Sequence, residues 1–198
     1  MEEEHYYVEK PKSRYVEFDI KARVRNYDLY LKSASGIFSA REIDKASRLL
    51  IEKADLPKKG KILDLGCGYG LIGVVAAKAC PSCTVILTDI NKRAYKLARE
   101  NISLNRVDAE ARQGPFYETV ANEKFDAILL NPPMAAGREV VMKMLKGAPE
   151  HLNKGGSLQI VARKTKGGEF LFKEMEKLFS SVKVLAKSGG FWVVKGTV

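Results

Sequence analysis

The sequence predicts an α/β fold: a mostly parallel sheet with helices on both faces, ending in an antiparallel C-terminal hairpin and preceded by a short β-rich extension. Two observations carry that prediction. From about residue 40 short apolar runs alternate with amphipathic helical stretches, and strands joined by crossover helices must run parallel. The two ends of the chain instead show period-two alternation, the mark of strands with one wet face. A chain of 198 residues suits one domain with an extension, placing the division at 1–35 and 36–198.

In chain order, residues 15–25 alternate Val16, Phe18, Ile20, Ala22 and Val24 with Glu17, Asp19, Lys21, Arg23 and Arg25. This reads as a strand within a hairpin that Tyr27, Leu29 and Leu31 extend. Ser39 and Glu42 have capping-box spacing for a first helix that ends near Ala54, before Pro57. An apolar strand follows at 61–65, a helix at 71–79 stopped by Pro81, a strand at 84–88 and a helix at 92–105. A weaker strand at 109–112 precedes a strongly apolar one at 125–130. A helix over 138–152 leads through Asn153-Lys154-Gly155-Gly156 to a strand at 157–162 and a helix at 169–179. Segments 182–187 and 191–195 form the terminal hairpin around Ser188-Gly189-Gly190.

Composition narrows the class. With 45% hydrophobic and 29% charged residues the chain is an ordinary globular protein rather than a disordered one. No run approaches the ~20 apolar residues of a membrane span. The start, Met1-Glu2-Glu3-Glu4-His5, is acidic and lacks the apolar core of a secretory signal, so the cytoplasm is the expected compartment and no membrane partner is expected. Three cysteines and two histidines make a poor metal inventory, and no metal site is expected. Cys80 and Cys83 have the spacing of half a zinc site with nothing to complete it; a disulfide between them stays open, and two free thiols are expected in a reducing compartment. The net charge of +10 favours encounter with polyanions without locating a site.

Ligands of such sheets bind outside the carboxyl ends of the strands. The first parallel strand ends in Asp64-Leu65-Gly66-Cys67-Gly68-Tyr69-Gly70, a turn where the backbone can approach a ligand without Cβ obstruction and a helix N-terminus points the same way. Asp89 ends the next strand, where a carboxylate can accept bonds from ribose hydroxyls. Two nucleotide-like cofactors compete. Gly68, Gly70 and Gly73 satisfy the dinucleotide GxGxxG pattern, but in a late register, and Asp64 would repel a pyrophosphate. S-adenosylmethionine, a cation without phosphate, suits the two carboxylates.

The strand at 125–130 ends in Asn131-Pro132-Pro133-Met134. Two prolines stiffen the turn and remove two N–H donors, leaving free carbonyls. An Asn amide oxygen and a proline carbonyl can converge on one NH₂ group. Two acceptors on a flat aromatic amine pull its nitrogen toward pyramidal geometry and aim the lone pair at an incoming methyl carbon. The expected reacting set is therefore Asn131, Pro132, Pro133 and Met134.

These two turns together look like those of Rossmann-like class I methyltransferases that modify exocyclic amino nitrogens. With Ser35-Gly36-Ile37-Phe38-Ser39 and the segment from Glu150 to Leu158, the chain over about 33–196 resembles the methyltransferase small-domain family, which includes bacterial small-subunit rRNA guanine-N2 methyltransferases. The resemblance implies a seven-strand sheet with an antiparallel terminal hairpin. It also implies cofactor contacts by Asp64, Gly66, Gly68 and Asp89, with Asn131 and Pro132 on the substrate amine and Phe38 shielding the centre. Cys67, Gly70, Ile90 and Gly114 complete the expected cofactor set, which Asn131 shares.

Two departures stand out. The bacterial enzymes carry a further N-terminal domain where this chain has its short extension, and their NPP is followed by Phe where this chain has Met134. A thioether is a less directional platform for a base than a ring, so guanine N2 and cytosine N4 both stay open. The expected partner is RNA, small-subunit rRNA or an assembling subunit, with a monomer and a homodimer both open. Candidate contacts are Arg163, Lys164 and Lys166, and a first cluster of Lys10, Lys12, Arg14, Lys21, Arg23 and Arg25. A protein glutamine methyltransferase and a catalytically silent RNA-binding module are the alternative readings.

Overall fold

The computed structural model describes Glu9 and residues 14–198; Tyr6, Tyr7, Lys10 and Lys12 lie outside the described residues. In chain order the elements are β1 (Glu17–Val24), β2 (Tyr27–Ala34), α1 (Lys45–Lys53), β3 (Gly60–Leu65), α2 (Leu71–Ala79), β4 (Cys83–Asp89) and α3 (Lys92–Leu104). They continue with β5 (Ala109–Gln113), β6 (Phe125–Leu130), α4 (Arg138–Gly147), β7 (Leu152–Arg163), α5 (Glu169–Leu178), β8 (Ser181–Ser188) and β9 (Phe191–Thr197). Among the described residues no helix is long and apolar enough to cross a membrane.

Seven strands form one sheet in the order β5-β4-β3-β6-β7-β9-β8. β3 pairs parallel with β4 and β6, and the parallel pairing continues to β5 and β7. β9 is antiparallel to both of its neighbours, so it alone runs against the sheet. The continuous apolar runs of the central strands follow from burial on both faces. Ile62, Val85, Leu87 and Leu129 enter one core with α1, α2 and α3, whereas Leu63, Leu65, Ile86 and Ile128 enter a second with α4 and α5.

The extension folds as its own two-stranded hairpin. Arg25 and Asn26 take φ of 49° and 68°, the left-handed pair a two-residue hairpin turn demands. Its buried face, Ile20, Val24, Leu29 and Leu31, belongs to the first core. The outer edge of β2 is paired by side chains. Asn101 accepts from Lys32 N at 2.7 Å and donates to Lys32 O at 2.8 Å. Asn105 accepts from Tyr30 N at 3.3 Å and donates to Tyr30 O at 2.8 Å. Four helical residues rise about 6 Å and two strand residues span about 6.6 Å, so amides at i and i+4 imitate a neighbouring strand. Asn101 is fully buried and also donates to Tyr69 O at 2.7 Å, joining the hairpin to the glycine turn. Asn101→Ala strands these three backbone groups and is expected to cost about 2–4 kcal/mol, read as a lower urea midpoint.

Four expectations are corrected. α1 begins at Lys45, capped by Asp44, whose carboxylate accepts from Ser47 N at 2.7 Å. Ser39 instead takes φ 51°, off the helical path, and its hydroxyl donates to Glu42 O. The helix expected to run to residue 152 ends at Gly147, because Pro149 follows and opens a short 3₁₀ turn. The segment Asn153-Lys154-Gly155-Gly156, expected as a connection to a strand at 157–162, is the irregular first part of β7, where the pairing with β6 shifts register. Cys80 and Cys83, expected as free thiols, form a disulfide: the end of α2 and the start of β4 bring their Cα atoms to 5.3 Å.

Candidate active site

Strand order reverses between β3 and β6, so their carboxyl ends open a crevice. Asp64 stands opposite Leu129 there, and the turns that leave the two strands form facing walls of one cavity. The loop after the hairpin adds Ile37, Phe38 and Ser39, the start of α1 adds Asp44 and Ser47, and the end of β4 adds Asp89 and Asn91.

The glycine wall is held by backbone bonds. The N–H groups of Gly66 and Cys67 both donate to Thr88 O, at 2.8 and 2.9 Å. Gly68 has φ +56°, and a Cβ there would meet nothing within 4 Å, so the bare backbone faces open space. At Gly73 the demand is different: a Cβ would lie 2.4 Å from Leu87 Cγ, so only glycine lets α2 sit this close to β4.

Asp89 ties the wall together, accepting from Gly68 N and Asn91 N at 2.8 Å each. Burial pushes its carboxyl up to about 6, against the lowering effect of those two N–H groups. Asp64 lies behind the turn, 1% exposed, and accepts from Gly73 N at 2.8 Å. Burial raises it to about 7, with the nearby Asp89 charge adding to the rise. The Cys67 thiol is pushed well up by burial and by both carboxylates, so it is a neutral wall group.

On the facing wall, Asn131 Nδ2 donates to Asp44 Oδ2 at 3.0 Å and to Ser47 Oγ at 2.8 Å. A carboxylate only accepts, so the nitrogen must face Asp44, and Oδ1 is left as the outward acceptor. Pro133, at φ −75° and ψ 77°, forms a tight three-residue turn in which Met134 N donates to Pro132 O at 2.8 Å. Pro133 O accepts from Ala136 N at 2.8 Å. The proline carbonyls, expected free, are thus each half used; a carbonyl keeps a second lone pair.

Phe38, Gly66, Cys67, Gly68, Asp89, Asn131, Pro132 and Pro133 line the cavity together. Asp64, Gly70, Ile90, Gly114 and Met134 stand off its lining. Gly114 N donates to Asp89 O, and Met134 lines an adjoining groove with Arg138 and Phe170. Sequence reasoning missed Asp44, Ser47 and Asn91. Asp44 is itself an N-cap residue type, with Ser39 and Glu42 at capping-box spacing competing with it five positions earlier.

The cavity favours a cationic ligand. No Lys or Arg is among its lining residues, which include the carboxylates of Asp44 and Asp89. The first turn of α2, where a pyrophosphate would dock, already gives its Gly73 N–H to Asp64. S-adenosylmethionine fits this donor set, and a dinucleotide does not. Among the described residues no cluster of His, Cys, Asp and Glu suits a metal ion.

Arg163, Lys164 and Lys166 are exposed at the carboxyl end of β7, the same end of the sheet as the NPP turn. The Arg163 guanidinium lies 4.7 Å from the Phe191 ring centre, and the amines of Lys164 and Lys187 lie 5.5 and 5.0 Å from that of Trp192. Of the first basic cluster, Arg25 is spent on structure, donating to Ile51 O and Ala54 O at the end of α1.

This strand order, with one reversed strand and the glycine turn at its switch point, defines a Rossmann-like class I methyltransferase fold. The chain belongs to the methyltransferase small domain family, which it matches over residues 28–195. It is 38% identical over 195 residues to the uncharacterised protein YbxB of Bacillus subtilis (strain 168), covering 97% of each chain. It is 33% identical to the ribosomal RNA small subunit methyltransferase C of Hamiltonella defensa, covering 91% of this chain and 55% of the relative. Among solved structures it resembles the T. thermophilus 16S rRNA N2 G1207 methyltransferase (RsmC) in complex with AdoMet and guanosine. There the TM-score is 0.79 at 22% identity, covering 94% of this chain and 52% of the other. The chain thus spans about half the length of the named rRNA enzymes it matches.

Proposed function

We propose that the chain is an S-adenosylmethionine-dependent N-methyltransferase acting on the exocyclic N2 amine of a guanine in small-subunit rRNA. The observation that carries this reading is the Asn131 amide, held with its oxygen as the outward acceptor in a cavity whose lining includes carboxylates and no cation. The name of the Hamiltonella defensa relative supports small-subunit rRNA, and the T. thermophilus structure, that of a 16S rRNA N2 G1207 methyltransferase, supports guanine N2 over cytosine N4.

Phe38, Gly66, Cys67, Gly68 and Asp89 hold the cofactor. Asp64 adds negative charge from behind the turn, and Gly70, Ile90 and Gly114 shape the backbone around it. When bound, S-adenosylmethionine supplies a methyl group on a sulfonium. Asn131 Oδ1 and the second lone pair of the Pro132 carbonyl accept the two N–H bonds of the amine and orient its lone pair. Pro133 stiffens the turn. Met134 and Phe38, 43% and 39% exposed, give the base apolar walls. The alkylated amine is acidic enough to release its proton to water, so no dedicated base is needed. Arg163, Lys164 and Lys166 grip phosphates beside a base drawn out of its stack.

Labelled S-adenosylmethionine offered with small-subunit rRNA and with the assembled subunit tests the reading. N2-methylguanosine in the nucleoside digest is the expected product. N4-methylcytidine would overturn the choice of base, and label that survives nuclease in the protein fraction would overturn RNA as substrate.

A further inference from the structure

We infer that Asp44 and Ser47 are positioning residues for methyl transfer: together they decide which end of the Asn131 amide faces the acceptor amine. The inference rests on the proposed function and adds to it a specific requirement for orientation.

The two ends of an Asn side chain are nearly the same size, and half a turn about the last bond exchanges one acceptor for two donors. Only the oxygen end can receive the N–H of an amine; the other end would set donor against donor. Backbone geometry does not make this choice. Asn131 precedes Pro132, which confines it to an extended conformation and sets the direction of its Cβ. The amide remains free to turn unless something holds it.

Two groups on α1 hold it. Ser47 Oγ, at 2.8 Å, is a hydroxyl that could serve either amide end. Asp44 Oδ2, at 3.0 Å, could not: a carboxylate has no proton to give, so it accepts the nitrogen end and rejects the oxygen. The same oxygen takes Ser47 N at 2.7 Å, which fixes the carboxylate at the helix start. Helix capping alone would be served by Ser or Asn. No ion pair involves Asp44 among the described residues, so the charge is not there for a salt bridge. Both side chains line the cavity, yet their hydrogen bonds run to Asn131 and to the helix backbone.

Asp44→Ser separates capping from orientation, because a serine hydroxyl caps the helix but is too short to reach Asn131. Its expected effect is a kcat lower by roughly 10- to 100-fold. KM for RNA should stay within about twofold of wild type, as expected when only an interaction made in the transition state is lost. KM for S-adenosylmethionine should rise alike in Asp44→Ser and Asp44→Asn, which lose the same cavity carboxylate, so the difference in kcat between the two reads the orientation alone. Asp44→Asn, which restores an acceptor of the right length, should recover most of the rate. Ser47→Ala should cost roughly 3- to 10-fold. A second measurement needs neither cofactor nor RNA: the ¹⁵N–¹H signals of the Asn131 side-chain amide, assigned by their loss in Asn131→Ala. These protons should exchange slowly in the wild type and faster in Asp44→Ser. An unchanged kcat in Asp44→Ser, or a loss confined to KM, overturns the positioning role. If the wild type methylates no RNA, the proposed function fails, and amide exchange alone decides the lock: unchanged exchange in Asp44→Ser overturns it.

Discussion

Asn131→Ala is expected to lower kcat by about 10²- to 10³-fold while cofactor affinity stays within about twofold of wild type. The split follows from the two walls of the cavity. Asn131 stands at the end of β6, and the turn that holds the cofactor lies across from it at the ends of β3 and β4. Its loss removes the amine acceptor without touching Asp89 or the glycine turn. Asp44 keeps its bond from Ser47 N, so α1 stays capped and the fold is not the reason for the lost rate. Single-turnover assays beside a cofactor titration separate the two effects. A variant that turns over at the wild-type rate would remove Asn131 from the mechanism, and a parallel collapse of cofactor affinity would place it on the wrong wall.

Asp89→Ala has the opposite signature. It is expected to weaken S-adenosylmethionine binding by about 100-fold, because it removes one of the two cavity carboxylates and frees the Gly68 and Asn91 N–H groups it now holds. The same carboxylate gives binding a pH dependence. Folding raises Asp89 to about 6 and Asp64 to about 7 from an ordinary 3.8. Across that window the folded chain holds protons the unfolded chain has released. Stability of the ligand-free protein is therefore highest near the lower limit and falls as pH rises through 6 to 7. A bound cation favours the ionised carboxylates, so cofactor affinity and the stabilisation it confers rise over the same interval and level off above it. Thermal shifts with and without cofactor from pH 5 to 8 measure both slopes, and Asp89→Asn should flatten them. Affinity that stays constant over this range in the wild type would show that neither carboxylate responds to the cation.

The elements legible in the sequence are those whose cause is local. The β3, α2, β4, α3 and β6 segments were each evident from an apolar run or a helical period, because burial on both faces demands continuous apolar strands. The misread positions had a local signal with a competitor nearby. Ser39 and Asp44 both offer a side-chain cap to a helix start, and only the left-handed conformation at Ser39 excludes it. The helix expected through residue 152 ignored Pro149, and the bulged start of β7 was hidden by two glycines that ordinarily mark a turn. The Cys80–Cys83 disulfide depends on how the end of α2 meets β4, which no spacing rule gives.

By itself the chain of residue types determined the two turns that make the site. Gly68 at φ +56° and the Pro132-Pro133 corner follow from backbone freedoms that belong to glycine and proline wherever they occur. Tertiary structure alone decided what those turns present. Asn131 acquires its polarity from Asp44, 87 positions earlier, and β2 finds its missing partner strand in the amides of Asn101 in α3 and of Asn105 at its C-cap, about 70 positions later. Such hydrogen bonds join groups that are neighbours only after the chain has folded, and nothing in the spacing of residues along it records which acceptor a given amide will meet.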